Sequence, residues 1–68
     1  MATMYSVRRG LEILSKYTKD DDYVCAEHDI FYAGPDTGTE GMSEEDVAEL
    51  KELRWFVDND SGSWAVFT

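Results

Sequence analysis

The segment formed by residues 42–67 constrains the fold most, because a strong helix start is followed directly by a hairpin signal. Ser43 is a good N-cap residue, since its hydroxyl accepts a hydrogen bond from a backbone N–H group of the first helical turn. Asp46 occupies the third helical position and is a short capping-box partner for Ser43. Apolar residues then recur at helical spacing, at Val47, Leu50 and Leu53. The segment predicts a helix with one apolar face and one acidic face.

The hairpin signal follows this helix. Runs rich in β-formers at residues 55–58 and 63–67 flank the turn formers at 59–62. With Asp58 opposite Ser63, one face of the hairpin carries Trp55, Val57, Trp64 and Val66. The other face carries Phe56, Ala65 and Phe67. Because side chains alternate along a strand, a slip of one residue would exchange these two faces.

The N-terminal part of the chain predicts a first helix from Ser6, as the N-cap, to about Tyr17. An apolar stripe supports it, formed by Val7, Leu11 and Leu14. Gly10 lies inside this pattern and costs about 1 kcal/mol relative to alanine. Either Gly10 permits a close packing approach, or the helix starts later.

The middle of the chain predicts one extended strand at residues 23–33, after a solvated turn at 18–22 and before a loop at 34–41. We therefore expect a single small α+β domain over residues 1–68, in the order helix, strand, helix, strand, strand. Its sheet is expected to be three-stranded and mainly antiparallel, with both helices on one face or one helix on each face. The predicted core is Leu11, Leu14, Ile30, Val47, Leu50, Leu53, Trp55, Val57, Trp64 and Val66.

The charge balance is the strongest functional clue in the composition. Fifteen acidic residues against six basic ones give a formal net charge of −9. Such a chain is repelled by nucleic acid and anionic membranes and attracted to basic protein surfaces. The alternative interpretation is that the acidity only maintains solubility.

The single cysteine excludes an intrachain disulfide, and no apolar run approaches the roughly 20 residues that span a bilayer. We therefore expect a soluble cytoplasmic protein.

Cys25 and His28 belong to the one cluster with the elements of a chemical site. A closed zinc site needs four ligands, and no second pair of suitable residues accompanies them. A nucleophilic pair needs hydrogen-bond contact, whereas residues three apart on a strand point to opposite faces. We therefore interpret Cys25 as a small packed side chain and His28 as partly buried beside a carboxylate. No catalytic residue, metal or cofactor is predicted.

Several runs of the chain resemble small uncharacterised proteins of phages and prophages. The resemblance covers most of the chain after residue 23. It is carried by residues 43–47, by Trp55-Phe56-Val57-Asp58, by residues 63–68 and by Cys25-Ala26-Glu27-His28-Asp29. Such relatives often place glycine where this chain has Arg54, which implies a helix C-cap there. The resemblance implies a phage origin and assigns no catalytic residue.

Small acidic phage proteins include inhibitors of host defence, among them anti-CRISPR proteins. The resemblance and the charge together predict a non-enzymatic inhibitor that binds a basic surface of a host defence or nucleic-acid-binding protein, as a nucleic-acid mimic. The expected contact residues are Glu44, Glu45, Glu49, Glu52, Asp58 and Asp60. The alternative is a small interaction or assembly module, homodimeric through an aromatic sheet face formed by Phe31, Phe56 and Phe67.

Overall fold

The computed structural model describes residues 2–19 and 24–68. Its elements are α1 (Met4–Leu14), β1 (Cys25–Glu27), β2 (Ile30–Ala33), α2 (Glu44–Glu52), β3 (Phe56–Val57) and β4 (Trp64–Phe67). All three strand pairings are antiparallel, and the sheet order is β1-β2-β4-β3. The predicted α+β class with two helices is confirmed. The predicted three-stranded sheet and the predicted order with one strand between the helices are wrong, because the described part of the chain forms four strands, two of them between α1 and α2.

The extra strand arises where residues 23–33 were expected to form one strand. The chain turns back at His28 and Asp29, so that Glu27 pairs with Ile30 across a two-residue loop. His28 has a φ of 55°, the left-handed conformation that two-residue hairpin loops require. Neither glycine nor proline marks this turn, so the alternating pattern concealed it. The predicted solvated turn lies partly outside the described residues, because residues 20–23 are not described.

Helix α2 begins as predicted, with Ser43 as its N-cap. The Asp46 N–H group donates to the Ser43 hydroxyl at 3.2 Å. The return bond of the predicted capping box, from the Ser43 N–H group to the Asp46 carboxylate, is not formed, because Tyr17 lies between the two residues. The Tyr17 hydroxyl accepts from the Ser43 N–H group at 3.3 Å and donates to the Asp46 carboxylate. The start of α2 is therefore tied to the chain that follows α1.

Helix α2 ends in a Schellman motif at the position where the resemblance implies a C-cap. The N–H group of Trp55 donates to the Leu50 carbonyl at 2.9 Å, and that of Arg54 donates to the Lys51 carbonyl at 3.1 Å. Arg54 has a φ of 75°, a left-handed conformation in which glycine is far less strained than arginine. Arg54 therefore carries the unfavourable backbone that glycine would avoid.

Helix α1 begins earlier than predicted. Its N-cap is Thr3, and Ser6 is instead the third helical residue, in a capping box with Thr3. Because α1 already includes Gly10, the alternative of a later helix start is wrong. Gly10 instead allows another group to pack closely against the helix. The partner is a side chain: a Cβ added at Gly10 would lie 2.2 Å from Nε1 of Trp55. The Trp55 indole N–H group donates to the Ser6 carbonyl at 2.9 Å, which fixes the ring against α1.

The C-terminal hairpin has the predicted register, with Val57 opposite Trp64 and Phe56 opposite Ala65. Both helices pack on the face that carries the two tryptophans. The buried core is Ile13, Leu14, Ala33, Leu50, Trp55, Trp64 and Val66, and Leu11, Val47, Leu53 and Val57 pack partly buried against it. The prediction that Ile30 belongs to the core is wrong, because Ile30 pairs with Phe67 on the opposite face. No helix of the described residues is long and apolar enough to cross a membrane.

Candidate binding surface on the outer face of the sheet

The face of the sheet that points away from the two helices is the candidate binding surface, and we call it the outer face. The register arranges it in rows that run across the strands. One row is Glu27, Ile30 and Phe67, and the next is Cys25, Tyr32, Ala65 and Phe56. Asp58 and Ser63 follow at one end, where the Asp58 N–H group donates to the Ser63 carbonyl at 2.8 Å.

An aromatic pair lies partly exposed on the outer face. The ring centroids of Phe56 and Phe67 are 5.2 Å apart, with an angle of 31° between the rings. Phe67 is 53% exposed, and Phe56 and Ile30 are half-buried. An exposed apolar patch on an otherwise strongly charged small protein is typical of a partner-binding surface.

Phe31 does not belong to this aromatic set, and its predicted placement there is wrong. It pairs with Val66 on the helix-facing side, and its ring meets the Trp55 ring edge-on at a centroid distance of 6.3 Å. The alternation of side chains along β2 puts Phe31 on the opposite face from Ile30 and Tyr32. The structure thus brings Phe56 and Phe67 together and separates Phe31 from them.

A cleft of about 390 Å³ opens on the outer face beside Tyr32. It is lined by Cys25, Glu27, Tyr32, Asp58, Asp60, Ser61 and Ser63. Partial burial raises the pKa of the Tyr32 phenol, and the negative charges of Asp58 and Glu27 raise it further. Tyr32 therefore keeps its proton at neutral pH. Asp58 also holds the loop, since it accepts from the Ser61 N–H group at 3.2 Å and from the Ser61 hydroxyl at 2.8 Å.

Positive charge is segregated from this surface. All six lysines and arginines lie in the segments 8–19 and 51–54. Each segment covers the end of a helix and the residues after it. Three of these bases pair with helix carboxylates: Arg8 with Glu12, Arg9 with Glu49, and Lys16 with Asp46, at 2.9, 2.7 and 2.7 Å. The strands and the loops of the two hairpins contain no lysine or arginine. The charged groups of these strands and loops are therefore carboxylates, at Glu27, Asp29, Asp58 and Asp60.

The six predicted contact acids do not form one surface. Glu49 is engaged by Arg9, whose Nε donates to it at 2.7 Å and whose Nη2 donates to it at 3.1 Å. The hydrogen bond from Arg9 lowers the pKa of Glu49, and the same bond raises the pKa of Arg9. Glu44, Glu45 and Glu52 are exposed on α2, whereas Asp58 and Asp60 line the cleft on the other side of the sheet. The predicted set is split between two sides of the molecule.

The buried end of α2 gives the fold a pH dependence. Asp46, whose side chain is 12% exposed, is bonded to Lys16 and accepts from Tyr17. The Lys16 ammonium, followed by the Tyr17 hydroxyl, lowers the pKa of Asp46. A carboxyl whose folded pKa is depressed adds stability above its unfolded pKa, about 3.9, and loses it as the pH falls through the folded value.

We therefore expect Asp46→Asn to be less stable than the wild type at neutral pH, with a difference that shrinks as the pH falls below about 4. Urea unfolding followed by tryptophan fluorescence at a series of pH values measures this difference. Glu45→Gln is the matched control, because it removes the same charge from an exposed position on α2. A deficit for Asp46→Asn that stays constant from neutral to acidic pH would contradict the assignment.

Cys25 and His28 are not packed as predicted. Both are exposed, Cys25 on the outer face and His28 in the turn between β1 and β2. We expected the alternation of side chains along one strand to place Cys25 and His28 on opposite faces. That alternation does not apply, because His28 lies in a turn and not in a strand. Among residues 2–19 and 24–68, no group of three or more His, Cys, Asp or Glu side chains is arranged to hold a metal ion.

Sequence reasoning missed three residues of the outer face: Glu27, Ile30 and Tyr32. Their placement depends on the turn at His28, which sets the register of β1 against β2. The signal available in the sequence was the short polar run of Glu27, His28 and Asp29 between two β-rich stretches. Such a run is compatible with a two-residue hairpin loop as well as with a continuous strand.

Comparisons of this chain with protein family models, with curated proteins and with solved structures find no match. The resemblance to phage proteins therefore stays a prediction. The function of this chain is therefore inferred from the geometry and charge of its described residues.

Proposed function

We propose that this protein is a non-enzymatic binding protein that engages a basic surface of a nucleic-acid-binding protein. The observation that supports this proposal best is the separation of charge. The six bases lie at residues 8–19 and 51–54, and the strands and hairpin loops carry carboxylates without any lysine or arginine. A basic groove that normally holds nucleic acid has the complementary charge pattern.

The physics of such an encounter follows from the net charge of −9. A protein with one strongly negative side is steered towards a positive cleft, and its carboxylates displace counterions there much as phosphates do. Exposed charges are screened over about 10 Å at 0.1 M salt, so the association should weaken markedly as salt is raised. Binding of this kind blocks access of nucleic acid without any chemical step.

The resemblance to phage proteins supplies the biological setting of the proposal. In that setting the protein is a phage-encoded inhibitor in the host cytoplasm, and its target is a host defence protein that handles nucleic acid. Anti-CRISPR inhibition is the specific form we propose to test first, because a CRISPR effector holds RNA and DNA in positively charged channels.

The test uses a panel of purified, RNA-loaded CRISPR effector complexes with labelled target DNA. We expect the protein to reduce DNA binding by at least one effector, at about 50 mM salt more than at about 300 mM. Two variants locate the contact: Glu27→Lys with Asp60→Lys on the sheet side, and Glu45→Lys with Glu52→Lys on α2. Both change the net charge equally, and we expect a loss of about tenfold or more only for the sheet pair, on the scale measured for close interfacial charge pairs. Undiminished DNA binding by every effector would contradict the anti-CRISPR form of the proposal.

The exposed Phe56–Phe67 pair favours a second candidate function, a homodimeric interaction module. In this version Phe56 and Phe67 of two copies pack together, and Phe31 takes no part because it faces the helices. Sedimentation at micromolar concentration tests it. A dimer that Phe56→Glu dissociates would support it, and a monomeric wild type would exclude it at that concentration.

A further inference from the structure

We propose that the outer face docks a basic protein segment by a mixed contact, in which one apolar side chain packs on Phe56 and Phe67 and one arginine or lysine enters the cleft beside Tyr32. This inference rests on the proposed function, and it adds the chemistry of the partner and the place where it binds. It predicts that charge alone is insufficient for binding, since the apolar side chain anchors the segment.

The apolar half of the contact is formed by residues that the fold leaves uncovered. Both helices pack on the opposite face of the sheet, and Phe67 is 53% exposed. Ile30 lies directly across from Phe67 and extends the apolar area towards β1. Aromatic side chains with exposed faces contribute much of the binding energy in protein interfaces. A leucine, methionine or aromatic side chain of the partner fits this patch.

The cationic half is the cleft beside the patch. The residues that line it include three carboxylates, those of Glu27, Asp58 and Asp60, and no lysine or arginine. The Tyr32 ring adds an aromatic surface on which a guanidinium group can stack. The protonated Tyr32 hydroxyl can donate to a backbone carbonyl of the same segment. A positively charged side chain is therefore the complementary occupant.

The rows of the outer face set the spacing within the partner segment. Tyr32 lies opposite Ala65, two residues from Phe67, and Ser63, the residue before β4, is four residues from Phe67. These separations correspond to about 7 and 13 Å in an extended strand. An extended segment that places its apolar residue over Phe67 therefore reaches the cleft with a residue about two to four positions away. The partner is expected to carry an apolar and a basic residue at that separation.

Charge complementarity decides between a basic partner and a second copy of this chain. Two copies meeting through their outer faces would bring the carboxylates of Glu27, Asp58 and Asp60 into the same interface, at a net charge of −9 on each copy. Like charges placed opposite one another cost several kcal/mol in an interface. A basic segment instead brings opposite charge to these carboxylates.

The experiment uses synthetic peptides of about a dozen residues as probes. The reference peptide carries leucine and arginine four positions apart in a polar lysine-containing background. One variant replaces the leucine with serine, and another replaces the arginine with glutamine. Calorimetry measures the affinities, and backbone amide shifts of the protein map the contact. We expect each replacement to weaken binding about fivefold or more, on the scale of a few removed contacts, with shifts at β2, β4 and residues 58–63.

Variants of the protein make the test reciprocal. Phe67→Ser should weaken binding of the reference peptide and lose its discrimination between leucine and serine, whereas Glu45→Gln with Glu52→Gln on α2 should change neither. Circular dichroism checks that Phe67→Ser remains folded, and the peptide variants test the same contact on the native protein. Equal binding of the leucine and serine peptides, shifts centred on α2, or no binding by any peptide would overturn the inference.

Failure of this inference is distinguishable from failure of the proposed function. If the protein inhibits an effector and Glu27→Lys with Asp60→Lys abolishes the inhibition while Phe67→Ser does not, the function stands and the mixed contact is wrong. If sedimentation shows a dimer that Phe67→Ser dissociates, a second copy occupies the outer face and the inference is wrong.

Discussion

Gly10→Ala is expected to destabilise this protein by about 2–3 kcal/mol, the upper part of the usual range for overpacking a tight contact. At an ordinary helix position the same change stabilises by about 1 kcal/mol. The difference arises because a Cβ at residue 10 would lie 2.2 Å from Nε1 and 2.4 Å from Cε2 of Trp55. The indole is buried and its N–H group donates to the Ser6 carbonyl, so the ring cannot move without breaking that bond. Urea unfolding followed by tryptophan fluorescence measures the change.

A double-mutant cycle with Trp55→Leu separates this contact from a general effect on α1. In the Trp55→Leu background the ring is absent, and we expect Gly10→Ala to cost at least about 1 kcal/mol less than in the wild type. The difference between Arg8→Ala and Arg8→Gly, at an exposed position of the same helix, controls for helix propensity, because both variants lack the ion pair with Glu12. A stabilising Gly10→Ala, or a cost independent of residue 55, would show that the glycine is not required for packing.

The local signals of this sequence predict its helices and strands better than they predict the contacts between residues far apart in the chain. The Ser43 N-cap and the register of the C-terminal hairpin are both confirmed, because each is set by residues close together in the chain. Gly10 was recognisable as unusual in a helix, but its contact lies 45 positions away at Trp55, and spacing within α1 carries no information about that residue. The same limit applies to the pairing of Arg9 with Glu49.

The outer face shows how one missed turn propagates to a candidate site. With residues 23–33 read as one strand, no register relates Cys25 and Glu27 to Tyr32 and Phe67. The left-handed His28 creates β1 and fixes that register. The aromatic prediction was therefore right about the face of Phe56 and Phe67, which depends only on the C-terminal hairpin, and wrong about Phe31.

Gly62→Ala is expected to cost about 3 kcal/mol and to loosen the loop that carries Asp58 and Asp60. Gly62 has a φ of 78°, and a Cβ there would lie 2.3 Å from the Asp36 carbonyl oxygen. Left-handed strain alone costs about 1–3 kcal/mol for a residue with a side chain, and the collision with backbone adds to it. The loop is also held by two backbone bonds: the Gly62 N–H group donates to the Asp58 carbonyl at 2.7 Å, and the Gly38 N–H group donates to the Gly62 carbonyl at 2.9 Å.

Gly41→Ala is the matched control for Gly62→Ala. Gly41 has a φ of 82°, but a Cβ there would meet nothing within 4 Å. Alanine at this position therefore has the left-handed strain without the collision. We expect Gly41→Ala to lower the free energy of unfolding, measured in urea, by about 1 kcal/mol. The difference between the two variants measures the contact between the loop at Gly62 and the backbone at Asp36. Because that contact holds one wall of the cleft, only Gly62→Ala should also weaken binding of the arginine-containing peptide. Equal costs for the two glycines would mean that the loop yields freely and that the cleft is not rigidly formed.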